Sequence, residues 1–239
     1  MHRVFQFRDV NPERYLLIDA SSPISVCAGI LDNRTRTWCS FSEEKAVALE
    51  GIFSALKKVC ASPAGDEIRG FLFCEGPGSI LGIRIAAAAI RARLALARAT
   101  VGQEIPVWAY SGLRLAAYLI LRAFPQERTF VVAAESRMNT WNILRVRNGV
   151  PEENFSEIKT AECQTSANEK IFILPHRRTL PPALSSATPC PVLELLKNDP
   201  AVFTDVPGLL HDCGNTPDAV NTSDVNSYAR WTPERHRGN

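Results

Sequence analysis

The segment Gly76-Pro77-Gly78-Ser79-Ile80-Leu81-Gly82-Ile83-Arg84 concentrates the residue types from which a ligand-binding turn is built. Two glycines around a proline make a stiff turn with positive-φ positions available. Ser79 can cap a following helix, whose first N–H groups suit an anion or an oxygen ligand. Gly82 removes a side chain from the first helical turn and permits close approach by another backbone. The same residues also suit a plain strand-to-helix turn with a packing glycine. Several chemistries are excluded by the surrounding residues. No Gly-Lys-Ser/Thr follows, so the turn is not a Walker A loop. Ser79 lacks the G-x-S-x-G flanks of a nucleophile elbow. The nearest histidines are His2 and His176, so Ser79 has no local base.

Other chemistry-bearing residues are scattered. Asp19 ends an apolar run and can serve as a carboxylate ligand or cap the Ser21-Ser22 turn. His211 and Cys213 offer two metal ligands without companions nearby, short of the four that a structural site needs. Arg84, Arg91, Arg93 and Arg98 decorate one helix, as a solvated face or as a stripe turned to a partner or to RNA. The basic stretch 230–237 reads as a solubilising tail or one that touches RNA backbone. The seven cysteines, Cys27, Cys39, Cys60, Cys74, Cys163, Cys190 and Cys213, show no C-x-x-C spacing and are read as reduced, buried hydrophobes.

The elements that must position these residues follow from hydrophobic period. Residues 15–18 form an apolar run ending in Asp19. Ile24, Val26, Ala28 and Ile30 alternate as in a half-buried strand, and Thr37, Cys39 and Phe41 continue the pattern, which predicts a three-stranded antiparallel meander. Ser42-Glu43-Glu44 reads as a helix start. Leu49, Ile52, Phe53, Leu56, Val59 and Cys60 then fall on one face of a helix over 43–61. A continuous apolar strand over 68–74 leads into the glycine turn and an alanine-rich helix over 79–99. A short strand at 106–109 and a helix after Ser111, placed to cap it, complete the order β-β-β-α-β-α-β-α. Strands over 130–134 and 141–146 read as the opening hairpin of a second lobe. From Pro175 onward lie nine of the 16 prolines, and only 170–174 and 192–197 look regular.

Composition is that of a soluble globular chain, with 46% hydrophobic and 22% charged residues. A net charge of +2 over 239 residues is too small to imply nucleic-acid binding by itself. The charged start lacks a signal-peptide core, and no apolar stretch is long enough to span a bilayer, so the expected setting is the cytoplasm, away from any membrane.

The glycine segment resembles the signature Gly-Pro-Gly-Ser-Phe-Thr-Gly-Leu-Arg of the TsaB family, also called YeaZ and often labelled glycoprotease-like. The stretch 15–26, with Asp19-Ala20-Ser21-Ser22, is similar to that family's opening strand and Asp-Thr-Ser-Thr turn. The Pro106 strand with Ser111-Gly112-Leu113, Arg137-Met138, and more faintly Ser227-Tyr228-Ala229-Arg230 fall in the family's order. Three positions depart from it. Ile80-Leu81 stands for Phe-Thr, Glu135-Ser136 for Asp-Ala, and Ser42-Glu43-Glu44 for His-Ser/Thr-Glu.

The resemblance implies an α/β, two-lobed actin-like (ribonuclease H-like) fold with mixed sheets flanked by helices. Residues 1–110 would form the first lobe, and 111–239 a small, loop-rich second lobe with the C-terminal tail. It further implies a non-catalytic subunit that supports a TsaD-like enzyme, with an accessory ATPase, in forming threonylcarbamoyladenosine at position 37 of tRNA. Contact would run through the two first-lobe helices, with homodimerisation when the chain is alone and tRNA contact indirect or weak. The partner-binding residues expected on this basis are Gly76, Pro77, Gly78, Ser79, Gly82, Arg84, Ala87 and Arg91, with no catalytic residue, metal or cofactor. Ala86 to Ala89 would let helices approach closely, and Gly82→Leu would then keep the fold and weaken association. An actin-like phosphotransferase or a glycoprotease-like peptidase is the alternative. The residues themselves speak for the scaffold: no two glycines after Gly112 are adjacent, so a second phosphate turn is missing, and the helix over 43–61 lacks the paired histidines that TsaD uses for metal.

Overall fold

The computed structural model describes residues 13–102, 104–136, 140–160, 169–214 and 217. Arg137-Met138, Cys163, Ser227-Tyr228-Ala229-Arg230 and the basic stretch 230–237 lie outside them.

The first sheet is built on β1 (Arg14–Asp19), whose neighbours are antiparallel β2 (Val26–Asp32) and parallel β4 (Gly70–Gly76). Beyond β2 lies β3 (Thr37–Glu44), and beyond β4 lies parallel β5 (Val107–Ser111). Both faces are covered. Leu16, Ile18, Val26, Ala28 and Ile30 pack under α1 (Ala48–Cys60) and α2 (Ile80–Val101), while Tyr15, Leu17, Cys27 and Leu31 point the other way into a second core. Covering both faces makes a strand apolar throughout. For that reason β2 is buried from Val26 to Leu31 rather than half-buried, and Ile24 lies outside it, exposed.

Ser42-Glu43-Glu44 does not start a helix. These residues pair with Ala28, Cys27 and Val26 as the last rungs of β3, and Ser42 Oγ donates to Glu44 Oε1 at 2.8 Å instead of capping. The helix α1 begins after Val47, with no side-chain cap, and of the expected apolar face Leu49 and Phe53 stay outside the core. By contrast Ser79 is the N-cap of α2, its Oγ accepting from Gly82 N at 3.3 Å. At the other end Gly102, at φ +65°, closes the helix as a left-handed cap.

The helix α3 (Gly112–Ala123) lies between the two sheets. Leu115 and Leu119 join the core of the first; Leu113, Ala116, Ala117 and Ile120 join that of the second. Ser111 occupies its N-cap position without a side-chain hydrogen bond, contrary to the capping expected of it.

The second sheet is centred on β6 (Phe130–Glu135), paired antiparallel with β7 (Thr140–Arg147) and parallel with β10 (Lys170–Ile173). On its outer sides β8 (Val150–Pro151) and β9 (Ser156–Lys159) pair with β7, and β11 (Thr188–Pro189) pairs parallel with β10. The order β11-β10-β6-β7-β8 therefore repeats β5-β4-β1-β2-β3 of the first sheet. Two mixed sheets of matching order, flanked by helices, form the two-lobed actin-like architecture.

The stretch after 111 does not all stay with the second sheet. The helices α4 (Val192–Asn198) and α5 (Val202–Asp205) bring Leu196, Val202 and Phe203 to the back of the first sheet, and β12 (His211–Asp212) adds an edge strand to β5. Arg122 of α3 pins this return by a fork to Asp199, at 2.9 Å from Nη2, and by a contact with Asp205. No helix among the described residues is long and apolar enough to cross a membrane.

Candidate functional site

The carboxyl ends of β1 and β4 meet at the glycine turn. Asp19 Oδ1 accepts from Ser21 N at 2.8 Å and Ser21 Oγ at 2.7 Å, and Oδ2 accepts from the buried Tyr110 hydroxyl at 2.8 Å. Asp19 thus caps the Ser21-Ser22 turn. Ser79 N donates to Ser21 O at 2.7 Å, tying the start of α2 to that turn. Gly76 holds φ +113°, a conformation that favours glycine, and so turns the chain out of β4. Burial, reinforced by the charge of Asp19, pushes the Cys27 and Cys74 thiols and the Tyr110 phenol well above their usual ranges. All three stay protonated near neutrality, and none is an activated nucleophile.

The glycines have an internal reason. A Cβ on Gly82 would lie 2.1 Å from Ala20 O, and one on Gly78 would lie 2.2 Å from Ser21 O. The backbone that approaches Gly82 closely is this chain's own β1–β2 turn, not a partner's. The same correction applies to Ala87, which is fully buried against the sheet together with Ala86; only Ala88 of that row is exposed. Small residues there bring α2 close to its own sheet. Pro77, Gly78 and Ser79 line a cleft between the lobes. Arg84 is half-buried, and Arg91 is exposed on α2, its Nη1 donating to Pro217 O at 2.7 Å.

Large apolar side chains are exposed instead on both helices, at positions outside the expected partner-binding set. Val47, Leu49 and Phe53 around the start of α1 are 59%, 55% and 60% exposed, and Ile80 and Leu81 in the first turn of α2 are 52% and 69% exposed. The sequence held a signal for this surface. That signal is Ile80-Leu81, the departure that makes the turn more apolar.

The cleft has a cavity of about 310 Å³. Asp19, Ser21, Ser22 and the glycine turn form its first-lobe wall; Ala134, Glu135, Ser136, Leu174, Pro175, Arg177 and Arg178 form the wall opposite. Leu115 of α3 and Val192, Leu193 and Leu196 of α4 make its floor. Across the wall Glu135 is already engaged, by Arg178 Nε at 2.8 Å and by Arg177 N at 2.9 Å.

His211 and Cys213 stand apart at the β5 edge. His211 Nε2 lies 3.3 Å from Glu75 Oε2, and that carboxylate raises the imidazole above its ordinary pKa. Cys213 Sγ donates to Val107 O at 3.4 Å, and burial pushes its thiol up to about 12. Among the described residues, no group of three or more metal-ligating side chains comes together.

No family model matches the sequence, and no curated protein matches it either. Solved structures do match in fold. YeaZ from Pseudomonas aeruginosa superposes with a TM-score of 0.51 at 18% identity, over 71% of this chain and 86% of that one. A protein described as similar to peptidase YEAZ from Pseudomonas aeruginosa superposes with a TM-score of 0.53 at 16% identity, over 87% of this chain and 97% of that one. The chain is a two-lobed, actin-like α/β protein with the fold of YeaZ.

Proposed function

We propose that the chain is a divergent TsaB-type scaffold, a non-catalytic subunit that supports a TsaD-like enzyme in tRNA threonylcarbamoyladenosine formation in the cytoplasm. The observation that carries this reading is the exposure of five large apolar side chains near the starts of the packed helices α1 and α2, Val47, Leu49, Phe53, Ile80 and Leu81. We read exposed apolar side chains of this size, gathered near the starts of two packed helices, as a surface meant to be covered. Burying the still exposed half or more of each of five such side chains supplies on the order of 1–2 kcal/mol each before the cost of association. The YeaZ-like fold and the glycine signature add the family context.

The chemistry of the turn agrees with a scaffold. The thiols and phenol around Asp19 are held neutral, and the two described histidines bond to Leu174 O and to Glu75 rather than to a serine or cysteine. Contact with tRNA is then indirect, through the partner, with an accessory ATPase completing the assembly. The chain, tagged and used as bait in lysate of its own organism, should retain a TsaD-like homologue identified by mass spectrometry. Retention of that homologue by wild type but not by Phe53→Asp supports the reading. Equal retention by both places the contact elsewhere and overturns it.

A further inference from the structure

The interlobe cleft carries an unmatched charge. Its two carboxylates are provided for within the chain: Asp19 accepts three hydrogen bonds, and Glu135 is held by Arg178 and by the Arg177 amide. Arg177 lines the same wall, and its guanidinium has no partner among the described residues. Around it the lining is mostly apolar, with Leu115 and Leu193 on the floor and Leu174 and Pro175 beside the arginine. A cavity of about 310 Å³ stands at the lower end of small-molecule sites, roughly 300–1,000 Å³, which are typically apolar with a few placed polar groups.

We propose that this cleft binds a small apolar carboxylate, its anionic group on Arg177 and its body against Leu115, Leu174 and Leu193. A planar guanidinium takes a carboxylate by two parallel N–H···O bonds. With Glu135 offset by Arg178, Arg177 is the cation left for a ligand and Asp19 faces it from the opposite wall, so a single negative charge is matched and a polyanion such as a nucleoside triphosphate is not. The inference stands independently of the partner reading, since the cleft and the α1–α2 face are separate surfaces.

The test uses the full chain, with hexanoate, octanoate and 4-phenylbutanoate as probes, their amides as neutral controls, and ATP as a competitor. Calorimetry and thermal unfolding should show that at least one carboxylate binds and raises Tm, with its amide about tenfold weaker or more. Arg177→Gln, a change on an exposed side chain, should abolish that preference without lowering the Tm of the free protein. Leu193→Trp should fill the cavity and remove binding of both. Equal affinity for acid and amide, a preference retained in Arg177→Gln, displacement by ATP at lower concentration than the carboxylates, or no binding by any of the three acids each overturns the proposal.

Discussion

Replacing Gly82 by alanine separates two physical effects of opposite sign. Helix propensity alone favours alanine by about 1 kcal/mol. In the folded chain, however, the new methyl would sit 2.1 Å from Ala20 O, far inside van der Waals contact. That carbonyl belongs to backbone and cannot swing aside. The neighbouring turn is fixed by Ser79 N to Ser21 O at 2.7 Å and by the two bonds from Ser21 to Asp19. Relief therefore requires α2 to lift from the β1–β2 turn by about an ångström. Overpacking of this kind costs typically about 1–3 kcal/mol, and a backbone clash belongs at the upper end. The net expectation is a loss of about 2 kcal/mol, which for a chain of this size lowers Tm by roughly 4–8 °C. Thermal unfolding followed by circular dichroism, with a urea titration to confirm the sign, measures it. Gly102→Ala is the control: a Cβ there meets nothing within 4 Å, and only the left-handed φ of +65° is penalised, at about 1–2 kcal/mol. A Gly82→Ala protein as stable as wild type or more so, yet unable to bind its partner, would refute the packing role and restore the glycine to a partner interface.

Three further outcomes follow from the same geometry. The Tyr110→Phe variant deletes a buried donor to Asp19 and should lose roughly 1.5–3 kcal/mol of stability by urea denaturation; an unchanged midpoint would show that Asp19 finds another donor. His211, its pKa raised by Glu75, contributes stability that is complete below the ordinary histidine value and is lost as pH rises through its folded value. Wild type should thus lose a small increment relative to Glu75→Gln as pH rises from about 6 to 8, small because the ring is half exposed, and parallel pH profiles would remove the interaction. Among the described cysteines, a thiol reagent at pH 7.5 should label Cys39 first, since it alone is exposed while Cys27, Cys74 and Cys190 are buried; early labelling of Cys27 or Cys74 would mean that the cleft opens.

The first lobe was legible because each strand and helix carries its own period and punctuation. Residues 15–41 gave the meander, and Ser79 with Gly102 bounds α2 by cap chemistry that local sequence specifies. Where tertiary pairing overrode local preference, the reading failed. Ser42-Glu43-Glu44 has good capping chemistry, yet three ladder rungs with β2 outweigh it. In the second lobe the elements are two to four residues long at β8, β9, β11 and α5, too short for any period to show. One local signal was there: Asn148-Gly149, both at positive φ, is the dipeptide of a tight hairpin and marks the turn between β7 and β8. The glycine signature located the turn, and its glycines Gly78 and Gly82 pack against this chain's own backbone. Whether Gly82 faces a partner or Ala20 depends on how β1 ends beside α2, a contact between residues about 60 apart that spacing cannot show. The exposure of Leu49 and Phe53 likewise depends on where α1 begins, at Ala48, and hence on which side it turns to the sheet.

The central claim is that the α1–α2 face binds a TsaD-like partner, and a titration with purified proteins tests it most directly. The chain is titrated by calorimetry into the TsaD-like homologue from the same organism, as wild type, Phe53→Asp and Leu81→Asp, with Val150→Asp on the second lobe as an exposed apolar control. The account predicts a one-to-one complex of micromolar affinity or tighter, weakened about tenfold or more by each helix substitution and unchanged by Val150→Asp. Folded proteins that form no complex, or a complex indifferent to both Phe53→Asp and Leu81→Asp, would contradict it.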